Sequence, residues 1–267
     1  MTRVRKSTGE TEAFDEGKLR RALRRSGASR DVIDRVVQRV EAKLVDGMST
    51  RKLYRIAYDA LRSAPKPVAA RFDLQRAVRQ LGPNGYPFEQ FVGALIEAQG
   101  YHVVVGAQLR GRFVTHEIDV DARRKTHRLL AECKFRNESS GKVDVKIALY
   151  VYARSLDLEP VGFDEFWLVT NGRFTDDARS YGEGVGLHLV SWHHPEGGNL
   201  ERMIDRAQLH PLTCLTTLRA RDKATLLDRG IVLCRDLRAD PRVLDGLRIG
   251  GRDRERVRQE LDGLAAL

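Results

Sequence analysis

The sequence predicts a mixed α/β protein, a layered α/β unit set between two mostly helical ones, and three observations carry that prediction. From Phe88 to Ser191, apolar runs of strand length alternate with amphipathic stretches of helical spacing. Before them, apolar residues recur at helical intervals through four successive segments. After the break Pro195-Glu196-Gly197-Gly198-Asn199, the chain is rich in Leu and Arg and again of helical character. At 267 residues it exceeds one ordinary domain.

The first elements are extended pieces, Arg3 to Lys6 and one ending at Phe14, joined as a hairpin by the turn Ser7-Thr8-Gly9-Glu10. Asp15 caps a helix bearing Leu19, Ala22 and Leu23, and Ser29 caps a second with Ile33, Val36, Val37, Val40 and Leu44. Ser49 starts a third, with Leu53, Ile56, Ala57, Ala60 and Leu61 on one side. After Pro65 and Pro67 a fourth runs through Phe72, Gln75 and Val78 to Leu81.

Gly82-Pro83-Asn84-Gly85-Tyr86-Pro87 is the clearest break, dense in helix-stopping residues. Beyond it Phe88, Phe91, Val92, Leu95 and Ile96 form the stripe of a helix that packs on a sheet, and Gly100 ends it. Strands are expected at Tyr101 to Val105, Phe113 to Val120 and Leu129 to Phe135, the last two joined through a polar loop, Arg123 to His127. A helix from Val145 to Ser155, a strand from Phe166 to Thr170, a helix opened by Thr175-Asp176-Asp177 and a strand from Leu187 to Ser191 complete the alternation. The expected domains are therefore 1–84, 85–197 and 198–267, with no internal repeat.

A formal net charge of +10 and a pI near 9.8 suit a polyanionic partner, and nucleic acid is the obvious one. The three cysteines, Cys133, Cys214 and Cys234, show no C-x-x-C spacing, which excludes a zinc ribbon and suits reduced thiols. With no long apolar run and no hydrophobic stretch behind the basic N-terminus, the expectation is a cytoplasmic protein without a membrane partner.

The chemistry concentrates in Asp119 of Glu117-Ile118-Asp119-Val120 and in Glu132 and Lys134 of Leu129-Leu130-Ala131-Glu132-Cys133-Lys134-Phe135. On paired strands, Glu132 and Lys134 share one face while Leu129, Ala131, Cys133 and Phe135 turn into a core. A hairpin that sets Asp119 beside Glu132 brings two carboxylates within reach of one hard cation, with an ammonium to act on water. Glu89, off the apolar stripe of its helix, can add a further acid. By itself an E-x-K pair on an exposed strand is more often a salt bridge, and Glu89 a solvated helix residue. His116, His193 and His194 stand near strand ends, where histidines are usually solvent-facing rather than metal ligands.

The wider pattern resembles a known family. Phe88-Glu89-x-Phe91-Val92, Gly100-Tyr101, Glu117-Ile118-Asp119-Val120, Ala131-Glu132-Cys133-Lys134 and Thr170-Asn171-Gly172-Arg173-Phe174-Thr175 with Ala178 are similar, in order, to the Mrr branch of the PD-(D/E)xK nucleases. The resemblance covers roughly Tyr86 to Trp192. It implies a restriction-endonuclease-like α/β/α fold that cuts double-stranded DNA with Mg2+. By position it implies Asp119 and Glu132 as metal ligands, Lys134 acting on the attacking water and Glu89 as an accessory acid. Two departures stand out: no glutamine follows Lys134 before the boundary, and Glu117 occupies a place where relatives usually carry a small or apolar residue.

In the first segment, Arg3, Arg5 and Lys6 beside Thr8-Gly9, with Lys18 nearby, offer a small cationic pocket of the kind that suits phosphate, while on these residues alone a basic hairpin packed on helices is the favoured reading. Val4-x-Lys6-x-x-Gly9, then Phe14-Asp15-x-x-Lys18-Leu19, three amphipathic helices and Arg71-Phe72 resemble an ATP-cone, an allosteric module that binds ATP or dATP. The resemblance implies phosphate contacts at Lys6 and Lys18 around the Gly9 turn, Val4 and Leu19 bordering the base, and Glu12, Thr50 and Arg79 as further contacts. Ser7 stands where a second basic residue is usual.

Leu226-Leu227-Asp228-Arg229-Gly230-Ile231 and Leu247-Arg248-Ile249-Gly250-Gly251 resemble fragments of helix-hairpin-helix modules, which present backbone N–H groups to DNA phosphate. A helical cap or dimerisation element is the competing and slightly favoured reading. Together these readings point to a Mg2+-dependent DNA endonuclease of the restriction or defence type, regulated by ATP or dATP. One site per chain makes a homo-oligomer, at least a dimer, the expected state for double-strand cutting. The alternatives are a nucleotide-sensing DNA-binding protein whose nuclease fold no longer cuts, and a repair or junction-resolving nuclease.

Overall fold

The structure, a computed structural model, describes residues 2–6, 9–61, 68–69, 72–138 and 141–265. Ser7 and Thr8 of the first turn, Pro65, Pro67 and Arg71 lie outside the described residues. The chain sorts into two compact units, one of Met1–Arg76, Cys214–Asp222 and Arg238–Leu267, the other of Ala77–Thr213 and Lys223–Leu237.

The first unit opens on β1 (Arg3–Arg5), which pairs antiparallel with β2 (Thr11–Ala13) and parallel with β3 (Met48–Ser49). Three helices follow the periodicity: α1 (Glu16–Arg25), α2 (Arg30–Glu41) and α3 (Thr50–Leu61). Asp15 caps α1 by accepting from Lys18 N, and Ser49 Oγ accepts from Lys52 N at the head of α3. Ser29 takes the cap position of α2 without a side-chain bond, so only its extended backbone does the capping. Leu19, Leu23, Val36, Val37, Val40, Leu53, Ala57 and Leu61 fill one core with Val4 and Met48. Of the expected fourth helix, α4 (Leu74–Arg79) is described.

The second unit is built on a five-stranded sheet. Its elements are α5 (Tyr86–Glu97), β4 (His102–Arg110), β5 (Thr115–Arg124), β6 (His127–Cys133), β7 (Lys142–Val143), α6 (Val145–Asp157), β8 (Glu165–Val169), β9 (Arg173–Phe174), α7 (Asp176–Gly184) and β10 (His188–Val190). The order is β10-β8-β6-β5-β4, antiparallel through β4, β5 and β6 and parallel through β6, β8 and β10. A separate parallel pair, β7 with β9, had no signal in the sequence because each strand is two residues long.

Helices cover both faces of the sheet. Gly93 of α5 lies so close to β4 that an added Cβ would meet Val105 Cγ2 at 3.0 Å, so α5 takes the face of Val103 and Val105. Leu130, Phe166, Leu168 and Leu189 form the opposite core with Ala148 and Val151 of α6 and Ala178 of α7. Burial on both faces explains why β6 has no alternation: Leu129, Leu130, Ala131, Glu132 and Cys133 are all buried. Three expectations are corrected here. The helix after the break begins inside it, at Tyr86, because Pro87 fits the first turn, where its missing N–H is not needed. The polar loop Arg123 to His127 shrinks to a two-residue turn, Lys125 (φ +55°) and Thr126, as β5 and β6 pair out to Arg124 and His127. Phe135 lies beyond β6, half-buried, with its ring 5.6 Å from that of Phe88.

Toward the C-terminus come α8 (Leu200–Ala207), α9 (Ala220–Asp228), α10 (Cys234–Ala239) and α11 (Gly251–Ala265). Gly230 (φ +77°) supplies the left-handed turn after α9, and Gly250-Gly251 stand at the head of α11. In the first unit, buried Glu260 of α11 accepts from Thr216 N and Oγ1 and from Thr217 N, so its own charge is not left bare. All three cysteines are buried thiols. Among the described residues no helix is long and apolar enough to cross a membrane.

Candidate active site

The β5–β6 ladder ends at Val120 paired with Ala131. Beyond it Asp119 turns its carboxylate inward, and Oδ2 accepts from Cys133 N at 2.6 Å, replacing a strand bond with a side-chain one. Glu132, on the face of Leu130 and Leu168, is 2% exposed. Lys134 lies just past the end of β6, yet its main chain is held on both sides: N donates to Val169 O at 2.7 Å and O accepts from Thr170 Oγ1 at 2.7 Å. Its Nζ donates to Glu132 Oε1 at 2.5 Å. The structure thus brings Asp119, Glu132 and Lys134 to one place.

Sequence reasoning missed one member. Arg154, on α6, places Nη1 2.7 Å from Glu132 Oε2, and Nη2 donates to the main-chain oxygen of Glu117. No local pattern marks it, since its partner is twenty-two residues away and α6 brings the two together.

Glu89, in the first turn of α5, is pushed up to about 7, by burial first and then by the negative charges of Asp119, Glu117 and Glu132, with Lys134 opposing. Asp119 is pushed up to about 6 by burial and by Glu132, against the Cys133 N–H and the charges of Lys134 and Arg154. Glu89 is therefore no solvated helix residue: it shares the field of the two strand acids. A raised acid binds more protons folded than unfolded, so its contribution is favourable at low pH and is lost as pH rises from 4.5 to about 7. Glu89→Gln, which cannot ionise, is expected to melt above wild type at pH 8 in metal-free buffer, with the gap closing near pH 4.5 in parallel melting curves.

The donor set fits a hard divalent cation. Asp119 and Glu132 supply carboxylate oxygens whose mutual repulsion a cation would relieve. No group of three or more His, Cys, Asp or Glu side chains among the described residues is arranged around a metal position. Two carboxylates nonetheless suffice for Mg2+, which is commonly held by one or two together with water and substrate phosphate. The histidines serve elsewhere. His116, half-buried, bonds Asp157 Oδ2 through Nε2 at 2.7 Å, while His194 Nε2 lies 3.1 Å from Glu183.

In the first unit, Lys6 Nζ and Lys18 Nζ each lie 3.2 Å from Glu12 Oε2. Lys6 Nζ also lies 3.6 Å from Glu10 Oε2, and the two lysines lower the Glu12 pKa. Gly9 (φ +89°) adopts a left-handed conformation in the turn beside them, and Thr50 begins α3. Val4 and Leu19, expected at the base, are 3% exposed and belong to the core. Arg79 ends α4, in the other unit.

Known families match most of the chain. Residues 2–79 match the ATP cone domain, residues 82–195 the Mrr catalytic family, described as a restriction endonuclease, and residues 210–265 the AF1548-like C-terminal family. An uncharacterized protein of Archaeoglobus fulgidus is 36% identical over 146 residues, which span 54% of this chain and 81% of that protein. The crystal structure of a protein of unknown function, AF1548, aligns with a TM-score of 0.59 and 31% identity, covering 69% of this chain and 100% of that one.

Proposed function

From the premise that the chain belongs to the AF1548-like family and joins an ATP cone to an Mrr-type restriction-endonuclease domain, we propose that it is a Mg2+-dependent DNA endonuclease answering to ATP or dATP. The observation that carries this reading is the meeting of Asp119, Glu132 and Lys134 where the β5–β6 ladder ends. Asp119 and Glu132 would hold the cation, which when bound supplies charge neutralisation at the scissile phosphate and a more acidic water. Lys134 Nζ, fixed by Glu132 Oε1, would orient the attacking water. Glu89, half protonated near neutrality, can hand a proton on at its carboxyl.

Double-stranded DNA is the substrate that suits the net charge of +10, and cutting both strands calls for a second copy of the chain. Lys6 and Lys18 are the phosphate contacts of the nucleotide site, where an incoming triphosphate would displace Glu12 as their shared anion. The family of the nuclease domain supports a restriction or defence role.

The test is plasmid cleavage by the full chain with and without Mg2+, across ATP, dATP and ADP, on methylated and unmethylated DNA. Mg2+-dependent nicking or linearisation, changed by ATP or dATP, is the expected result. DNA binding with no cleavage under any condition would instead establish a nucleotide-sensing binding protein. Calorimetry with ATP should show Lys6→Ala weakening affinity about tenfold or more, the worth of one charge-assisted hydrogen bond.

A further inference from the structure

Asp119 and Glu132 lie where backbone pairing between their strands has stopped, with Val120 and Ala131 the last partners of the ladder. Each strand goes on pairing with its other neighbour, β6 with β8 and β5 with β4, so a metal site assembled where β5 and β6 have parted from each other needs a link besides their ladder to set the spacing of its carboxylates. One link is the bond from Cys133 N to Asp119 Oδ2. The other is Arg154, whose two terminal nitrogens reach one atom on each strand: Glu132 Oε2 on β6 and the main-chain oxygen of Glu117 on β5.

Three further facts say that the guanidinium is held for this bridge. Its side chain is 11% exposed, so the charge is withdrawn from water. Nε is buried with no hydrogen-bond partner among the described residues, a cost tolerated while both terminal nitrogens stay committed. Tyr150, one turn earlier on α6, sets its ring 5.6 Å from the guanidinium carbon and limits where that group can swing. A planar fork can span a carboxylate and a carbonyl together, whereas an ammonium acts as a point charge.

Building on the nuclease reading above, we propose that Arg154 is a positioning residue that staples β5 to β6 and sets the Asp119–Glu132 spacing for the divalent cation. It acts through Glu132, neutralising part of its charge while leaving the lone pairs that a cation needs.

The experiment is calorimetric titration of the full chain with Mn2+ in the absence of DNA, for wild type, Arg154→Ala and Arg154→Lys, followed by cleavage rates against Mg2+ and against DNA. Arg154→Ala should bind Mn2+ about 10–100-fold more weakly, the usual loss when a group that orients a metal ligand is removed. Arg154→Lys, which keeps the charge and loses the fork, should fall between. The Mg2+ needed for half-maximal cleavage should rise in step, while KM for DNA stays within about twofold of wild type, because a positioning residue leaves substrate binding alone.

Unchanged or tighter Mn2+ binding by Arg154→Ala overturns the staple. So does a raised KM for DNA with metal affinity intact, which would make Arg154 a phosphate contact. If the alanine variant does not fold, the lysine variant decides by the same criterion. A wild-type chain that neither binds Mn2+ nor cleaves sinks the nuclease reading and this role with it. Wild-type binding matched by the Arg154 variants sinks this role alone.

Discussion

Asp119→Asn is expected to lower Mg2+-dependent cleavage about a thousandfold, since a bound cation contributes several kcal/mol of charge stabilisation. Asparagine keeps an oxygen to accept from Cys133 N, so the local fold has no reason to change. It loses the charge, and that is what separates chemistry from stability. The Asp119 carboxyl is pushed up to about 6 from 3.8, so its contribution to folding declines as pH rises through that interval and is at its worst above it. At pH 8 without metal, Asp119→Asn should therefore melt at or above the wild-type temperature while being inactive. An inactive variant that is also less stable would mean that Asp119 is structural and that its loss says nothing about a metal.

Glu132→Ala is expected to have the largest effect on folding, about 3–5 kcal/mol, the range for stripping the partner from a buried ion pair. Glu132 joins two cations, Lys134 at 2.5 Å and Arg154 at 2.7 Å. Lys134, 24% exposed, can turn toward water, but Arg154, at 11%, is left as an uncompensated buried charge. Most of the loss thus belongs to Arg154. Adding Arg154→Met to Glu132→Ala should recover more than half of it in urea denaturation, because an apolar side chain needs no counter-ion. If the double variant is as unstable as the single one, stranded charge is not the cause, and the interaction assigned to these two side chains is overstated.

Much of the architecture was legible because it rests on local rules. Asp15 and Thr175 cap their helices as composition suggests, each accepting from the backbone N–H three residues on, Lys18 and Ala178. The stripe Phe88, Phe91, Val92, Leu95 and Ile96 is buried throughout. Glu132 was singled out with Lys134 by their shared strand face, and Asp119 by its place in the strand before. What local rules could not supply was depth. The expected alternation on β6 assumed one wet face, whereas α5 on one side and α6 with α7 on the other bury both. A glutamate that composition places on an exposed strand is thereby almost fully enclosed.

The sequence by itself yielded the longer helices and the five sheet strands in order, most caps and breaks, and Asp119, Glu132 and Lys134 as candidates, because the elements depend on neighbours within a few residues and the candidates on one strand period and the order of the landmarks around them. Only the tertiary structure decided that Arg154 joins them, that Glu89 titrates near 7 and that Val4 and Leu19 lie in a core. The sheet topology likewise had to be folded to be seen. Each of these depends on which distant segments share a low-dielectric interior: a carboxyl's proton affinity and a guanidinium's partners follow from surroundings in space, which spacing along a chain does not encode.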